Sequence, residues 1–303
     1  MSKPEGVARQ WSDLLAYVLL PVLSLLTPAS FSRQVLARMS AWKSVLQIDA
    51  ALALEGARKH LDISDETAWQ QRWKLVELMD VRDLYMLLYG RSGAVLAEIE
   101  LPPDFEMARD RVMVGMHWGP AISILKLLAN AGMQPTFPYR PPEKELLRSR
   151  PFYYLFCRLA SLYLSRTLRD RAVTTGGAGK VLQGLLKKPG SICVLMDAPA
   201  EKGRAASIRE LLGTPARFNV GFPAMFIEQK KEYVHYAMSL SEDGAIRKKL
   251  EIQGPFRAED TDEYLDRYAG FLGRHLAADS AHWRIWRAEH QLWVHSGQRG
   301  DHQ

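Results

Sequence analysis

The later two thirds of the chain alternate short apolar runs with helix-like segments, and this alternation limits the fold more than any other feature. The runs at 111–116, 191–196 and 232–239 have the length and composition of buried strands, and the segment 121–131 has helical spacing. Strands that alternate with helices usually pair in parallel, because each helix returns the chain to the same end of the sheet. We therefore predict an α/β fold with a mostly parallel central sheet flanked by helices.

The first hundred residues have a different pattern, which predicts helices. Apolar residues recur at helical spacing over 33–60. Ser64 is predicted to cap a second helix, which places Asp65 and Glu66 in its first turn and its end near Gly90.

These patterns predict three parts. Residues 1–100 are a helical extension, 101–296 an α/β domain, and 297–303 a disordered tail.

A short apolar stretch, Leu14 to Leu26, is the candidate membrane segment. A full span needs about 20 apolar residues, and Pro21 interrupts this shorter run. An interfacial anchor, a buried core helix and a strained span remain open. The basic residues that follow, Arg33, Arg38 and Lys43, favour contact with an anionic membrane surface.

Composition narrows the class of partner. Apolar residues make up 47% of the chain and charged residues 24%, as expected for a folded protein. The net charge of +6 and the pI of 9.2 indicate an anionic partner without identifying it. Cys157 and Cys193 stand among apolar neighbours, so we interpret both as buried thiols in a reducing, cytoplasmic-side location.

Two polar residues follow predicted strands and are the candidate catalytic residues. His117 comes directly after the strand at 111–116, and Asp197 directly after the strand at 191–196. Ligands of open α/β sheets bind outside the carboxyl ends of the strands. His117 could remove a proton as a general base or be hydrogen-bonded at a strand end. Asp197 could orient a base or substrate amine, or cap a loop.

Further candidates are binding residues. Arg140, in Tyr139-Arg140-Pro141, could bind a phosphate or carboxylate through its guanidinium, or be a solvated loop residue. The segment 211–221 is predicted to be a Gly/Pro-containing loop that leads into a helix. That loop, with Gly213 and Arg217, could bind an anionic group or act only as a connector.

Several common sites are excluded by spacing. Thr175-Gly176-Gly177-Ala178-Gly179-Lys180 lacks the spacing of a phosphate-binding loop, and the chain has no Gly-x-Ser-x-Gly motif. The C-terminal histidines match no zinc motif, so we expect no metal and no cofactor. The basic residues are scattered and no nucleic-acid motif is present, so we expect no nucleic acid as a partner.

The order of the motifs adds information that the single motifs lack. The chain contains, in order, His117-Trp118-Gly119-Pro120-Ala121-Ile122, Tyr139-Arg140-Pro141, Asp197-Ala198, Leu212-Gly213-Thr214-Pro215 and His282-Trp283-Arg284-Ile285-Trp286. This series resembles the lysophospholipid acyltransferase superfamily, and within it the late acyltransferases of lipid A biosynthesis. The resemblance extends from the N-terminal helix to about Val294.

The resemblance implies a bacterial acyltransferase at the cytoplasmic face of the inner membrane, held peripherally or by a short anchor. It would transfer a fatty acyl group from an acyl carrier protein or coenzyme A thioester to a membrane lipid acceptor. His117 and Asp197 would be catalytic. Residues expected to bind substrate are Trp118, Gly119, Arg140, Gly213 and Arg217.

One position departs from the family pattern. The family places a carboxylate five residues after its histidine, whereas this chain has Ile122 there, and Pro120 replaces the usual Asn. Such a carboxylate orients the imidazole and stabilises its charged form. Either Asp197 supplies that charge, or the chain is a degenerate homologue that binds lipid or a carrier-bound acyl chain.

Overall fold

A computed structural model describes residues 3–175, 178–198, 205–241 and 246–294, and the side chains from residue 6 onward. The strands in these ranges are β1 (Ile99–Glu100), β2 (Val112–Gly115), β3 (Phe137–Tyr139), β4 (Ala172–Thr174), β5 (Ile192–Leu195), β6 (Ala206–Leu211), β7 (Thr214–Asn219), β8 (Tyr233–Leu240) and β9 (Lys248–Phe256). The α-helices are α1 (Lys3–Leu14), α2 (Leu20–Leu26), α3 (Ala29–Ser40), α4 (Gln47–Arg58), α5 (Glu66–Leu88), α6 (Ser92–Leu96), α7 (Ile124–Asn130), α8 (Glu145–Ser149), α9 (Pro151–Leu168), α10 (Ala178–Leu185), α11 (Gly221–Glu228) and α12 (Thr261–Asp279). The predicted tail at 297–303 lies outside the described residues.

Five strands form the central sheet in the order β1-β9-β8-β2-β5. Strand β2 pairs in parallel with β5 and with β8, and β1 pairs in parallel with β9, whereas β8 and β9 are antiparallel. Strands β3 and β4 form a separate parallel pair, and β6 and β7 a separate hairpin. The predicted α/β fold with a mostly parallel sheet is thereby confirmed.

The central position of β2 follows from its sequence. All four of its residues are buried, because strands lie on both sides of it and side chains cover both of its faces. Parallel strands of this kind have continuous apolar runs rather than alternating ones. The predicted strands at 111–116, 191–196 and 232–239 correspond to β2, β5 and β8.

Two local predictions were wrong. The segment 211–221 is mostly strand, since β7 pairs with β6 around a turn at Leu212 and Gly213 before α11 begins. Helix α5 is capped by Asp65 and not by Ser64: the Asp65 carboxylate accepts a hydrogen bond from the amide of Ala68 at 2.9 Å. In both cases the local sequence is compatible with two structures. Strand pairing decides the first case, and the cap hydrogen bond decides the second.

The apolar stretch at 14–26 lies in a run of helix made of α1, a π-helical turn (Leu15–Leu19) and α2. Pro21 has no amide hydrogen, so it cannot donate an α-helical hydrogen bond to the carbonyl of Tyr17, four residues earlier. The hydroxyl of Tyr85 donates to that carbonyl at 2.6 Å and so satisfies it. Within the described ranges no helix combines the length and the apolar content that a membrane crossing requires.

Helix α5 joins the N-terminal helices to the sheet region. Its second half is almost completely buried, and it contacts α2, α3, α4 and α9. Two of its acidic residues make longer-range bonds: Asp80 accepts from the amide of Ile122, in the segment that follows β2, and Glu77 accepts from Arg284 near the C-terminus. The predicted boundary near residue 100 is not tested by these contacts and stays a prediction.

Candidate active site

His117 and Asp197 are brought together by the pairing of β2 with β5. Each lies two residues past the end of its strand, and the two strands are parallel neighbours. The Asp197 carboxylate bonds His117 twice: its Oδ1 atom lies 2.9 Å from the ring Nδ1, and its Oδ2 atom accepts from the His117 amide at 2.7 Å. Asp197, just after β5, therefore gives the imidazole a carboxylate partner, which Ile122 cannot provide.

The two side chains differ in exposure. Asp197 is 0% exposed, whereas the side chain of His117 is 33% exposed. An ionised carboxylate can only accept hydrogen bonds, so the ring proton of a neutral His117 lies on Nδ1 and the lone pair on Nε2. No hydrogen bond joins Nε2 to another described residue. This arrangement presents a proton acceptor to solvent or to a substrate.

The main chain around His117 is fixed by the C-terminal segment 282–284. The amide of Arg284 donates to the carbonyl of His117 at 2.8 Å, and the amide of Gly119 donates to the carbonyl of His282 at 2.8 Å. Trp283 forms an isolated antiparallel bridge with Trp118. Its indole Nε1 donates to Oδ2 of Asp197 at 2.7 Å. The C-terminal aromatic segment therefore contacts both residues of the candidate dyad.

Gly119 is required by packing against β8. Its φ is +60°, and a Cβ atom there would lie 1.6 Å from the carbonyl oxygen of Met238. Both facts disfavour any side chain, because L-residues rarely adopt this conformation and the neighbouring atom is backbone. Whether Gly119 also binds substrate stays a prediction.

Trp118 is a packed residue that lines a cavity. Its ring is buried, stacks on His282 with ring centroids 5.4 Å apart, and donates to Ser239 Oγ. A cavity of about 350 Å³ borders it, lined also by Glu251, His275 and other residues of β9 and α12. Contact between Trp118 and a substrate would therefore occur from this cavity.

Ile122 is held by an acidic residue of α5. Its amide donates to Asp80 Oδ1 at 2.9 Å, and the other oxygen of Asp80 accepts from Arg284 Nη1 at 2.5 Å. Arg284 also bonds both oxygens of Glu77, at 2.9 and 3.0 Å. Burial raises the pKa of Asp80, and the Arg284 guanidinium and the Ile122 amide offset this only in part.

Every amide of the segment 117–122 is engaged. Besides the bonds of His117, Gly119 and Ile122, the amide of Trp118 donates to Met116 and that of Ala121 to Gly119. Pro120 has no amide hydrogen. A donor for a developing oxyanion would therefore come from outside this segment.

Three predicted binding residues lie away from these contacts. Arg140 follows β3, is 66% exposed and pairs with Glu143 at 2.6 Å. Gly213 is exposed at the turn of the β6–β7 hairpin, with φ of +74°. Arg217 is half-buried in β7, and its amide donates to the carbonyl of Leu292 at 2.7 Å. No described contact joins any of them to His117 or Asp197.

The sequence did not identify Asp80, Glu77 or Arg284 as site residues. Arg284 lies 204 residues after Asp80 and 207 residues after Glu77, and the two acidic residues stand in an ordinary helical pattern. Trp283 and Trp286 of the segment 282–286 are completely buried. The signal that was available is the density of Trp and charged residues there. The described ranges contain no group of three or more His, Cys, Asp or Glu placed to hold a metal ion.

Comparison of the chain with protein-family models and with curated proteins finds no match in either.

Proposed function

We propose that this protein transfers a fatty acyl group from an acyl carrier protein or coenzyme A thioester to a hydroxyl or amine of a membrane glycolipid or lipid-like acceptor. The observation that supports this most is the His117–Asp197 pair, with a buried carboxylate behind a partly exposed imidazole. The order of motifs that resembles the lipid A acyltransferases gives the reaction class.

The proposed reaction uses His117 and Asp197 in two different roles. As the acceptor oxygen or nitrogen attacks the thioester carbonyl, Nε2 of His117 takes its proton, and Asp197 stabilises the imidazolium that forms. The tetrahedral intermediate then collapses, the carbon–sulfur bond breaks, and the thiolate leaves with the proton that the imidazolium returns. A new ester or amide and a free thiol are the products.

Membrane contact is proposed for the N-terminal helical run, because one side of it exposes apolar residues. These are Val7, Trp11, Leu19, Val22, Leu23 and Leu26. Trp11 is 53% and Leu26 79% exposed, while Tyr17, Leu20 and Ser24 face the core. Spacings of three, four and eight residues place the exposed set on one side of the helical run. Such a face would enter the headgroup region of a bilayer.

The basic residues after this run contribute unequally. Arg38 and Lys43 are exposed and can meet an anionic surface. Arg33 is instead mostly buried and forms an ion pair with Glu98. We therefore propose that Arg38 and Lys43, but not Arg33, bind anionic headgroups at the cytoplasmic face of the inner membrane.

Direct transfer tests the reaction. Purified protein is incubated with acyl carrier thioester or acyl coenzyme A and with candidate lipid acceptors, and products are identified by mass spectrometry. Lipids from a deletion strain identify the acceptor in parallel, because the missing acyl chain names it. His290→Ala is the matched control for His117→Ala, since His290 is an exposed histidine outside the site. Equal transfer by His117→Ala and His290→Ala would show that the base is wrongly assigned.

A second candidate function is lipid or acyl-carrier binding without catalysis. Ile122 at the position of the family's acid, and the engaged amides of the segment 117–122, favour it. Binding of lipid or of acyl carrier thioester with no product from any acceptor would select this candidate.

Vesicle sedimentation tests the membrane face. Leu23→Glu with Leu26→Glu should weaken binding to vesicles containing anionic lipid by at least tenfold, since burying one such side chain is worth about 1.5–3 kcal/mol. Ile208→Glu is the control, because Ile208 is also an exposed apolar residue but lies in β6. Equal binding by both variants would exclude this face.

A further inference from the structure

Trp283 is a completely buried tryptophan whose indole reaches the carboxylate behind His117. Its Nε1 donates to Asp197 Oδ2 at 2.7 Å. Trp286 is buried to the same degree, packs against Trp283 with ring centroids 4.6 Å apart, and donates instead to the main-chain carbonyl of Ser280, also at 2.7 Å. The two tryptophans therefore differ in what their N–H groups bind.

The two oxygens of Asp197 have different partners. Oδ2 accepts two hydrogen bonds, from the His117 amide and from Trp283, whereas Oδ1 accepts from the His117 ring. The terminal torsion of an aspartate is broad and roughly two-fold, so a carboxylate is not fixed by its own rotamer. The indole N–H and the His117 amide, both bonded to Oδ2, restrict that rotation and leave Oδ1 directed at Nδ1. Oriented partners of this kind determine which ring nitrogen holds the proton.

The same segment also fixes the main chain of the histidine. The bridge between Trp118 and Trp283 and the bond from the Arg284 amide to the His117 carbonyl join the segment to both sides of His117. The C-terminal segment thus contacts both the carboxylate and the main chain that carries the imidazole.

We propose that Trp283 is a positioning residue that fixes the Asp197 carboxylate against Nδ1 of His117 through its indole N–H. The effect of Trp283 on acyl transfer rests on the proposed function. Its effect on the tautomer of the His117 imidazole does not, and the two effects can be measured separately.

The wild-type protein provides the first test, by ¹⁵N NMR of ring nitrogens during a pH titration. We expect neutral His117 to have its proton on Nδ1. The indole N–H signal of Trp283 should shift with the same midpoint as the His117 ring, because Asp197 connects them. The Trp286 indole should not follow that midpoint. A Trp283 signal that is insensitive to the His117 titration would overturn the proposal.

Variants provide the second test. Trp283→Phe should lower kcat by about 10- to 100-fold with KM within twofold, the usual cost of losing a partner that orients a functional histidine. Its ¹⁵N spectrum should show a mixture of His117 tautomers. Trp286→Phe removes the same indole volume and also a buried hydrogen bond, yet should keep kcat within twofold and a single tautomer.

The outcomes separate the two claims. Equal kcat and equal tautomer populations in the two variants would refute the role of Trp283. Absence of any transfer by the wild type would refute the proposed function, while the tautomer comparison would still decide the positioning role. If Trp283→Phe does not fold, the wild-type titration decides it.

Discussion

Two histidines lie on neighbouring strands of the central sheet and have opposite surroundings. His117 follows β2, is one-third exposed and is bonded to Asp197. His235 lies within β8, where it pairs in register with Val114 of β2, and it is fully buried. Neither ring nitrogen of His235 forms a hydrogen bond with a described residue. The two imidazoles therefore differ in their exposure and in their hydrogen-bond partners.

The surroundings of His235 are aromatic. Its ring centroid lies 4.8 Å from that of Phe271 and 5.4 Å from that of Phe256. Burial, together with the nearby charges of Arg267, Arg274 and His275, lowers the pKa of His235 to about 3. Position explains the contrast, because Phe271 of α12 packs against His235 within β8, whereas His117 lies two residues beyond the end of β2 and is partly exposed.

The largest effect expected from this comparison is on catalysis. His117→Ala should lower kcat/KM for acyl transfer by about 10²- to 10⁴-fold, the range expected for loss of a general base. His235→Phe should leave kcat/KM within about threefold, because that ring is sealed from any substrate. Steady-state transfer rates with saturating thioester measure both. A greater loss in His235→Phe than in His117→Ala would reverse the assignment of the two residues.

The second effect concerns acid stability and involves His235. An unfolded histidine titrates near pH 6.5, whereas folded His235 has a pKa of about 3. Between these values the unfolded state binds the proton and the folded state does not, so acidification favours unfolding. The free energy of unfolding should fall by about 2 kcal/mol from this residue between pH 6.5 and pH 4.5.

Urea unfolding at the two pH values measures that loss. His235→Phe should reduce the dependence on pH by the same amount, and His290→Ala, an exposed control, should not. An unchanged pH dependence in His235→Phe would mean that the buried imidazole is not the group responsible.

The strands and contacts around the two histidines could be predicted from the sequence to different extents. The apolar runs of β2, β5 and β8 are detectable because these strands are buried on both faces. Strand β9 contains Lys248, Lys249 and Glu251 and gave no such run, because burial alternates along it and its buried Lys248 forms an ion pair with Asp83. The contact of His117 with Asp197 follows from two adjacent parallel strand ends, which is why a sequence pattern could suggest it.

Contacts made through the C-terminal segment could not be predicted in this way. Trp283 and Arg284 reach the site from more than 160 residues along the chain beyond His117. They do so through an isolated bridge and single hydrogen bonds. No periodicity in sequence encodes such contacts, since they depend on where the segment crosses the folded sheet. The contact of Phe271 with His235 likewise comes from α12, which lies elsewhere in the sequence.

The smallest expected effect concerns Arg140, which the sequence placed with His117 and the structure places at the surface. Its ion pair with Glu143 lies between two side chains that are each more than 60% exposed. Such pairs contribute about 0–1 kcal/mol, so Arg140→Ala should change the free energy of unfolding by less than about 1 kcal/mol and KM for the thioester by less than twofold. Thermal unfolding and initial rates measure the two quantities. A tenfold rise in KM with unchanged stability would instead make Arg140 a substrate ligand, and the site would then extend from His117 to the end of β3.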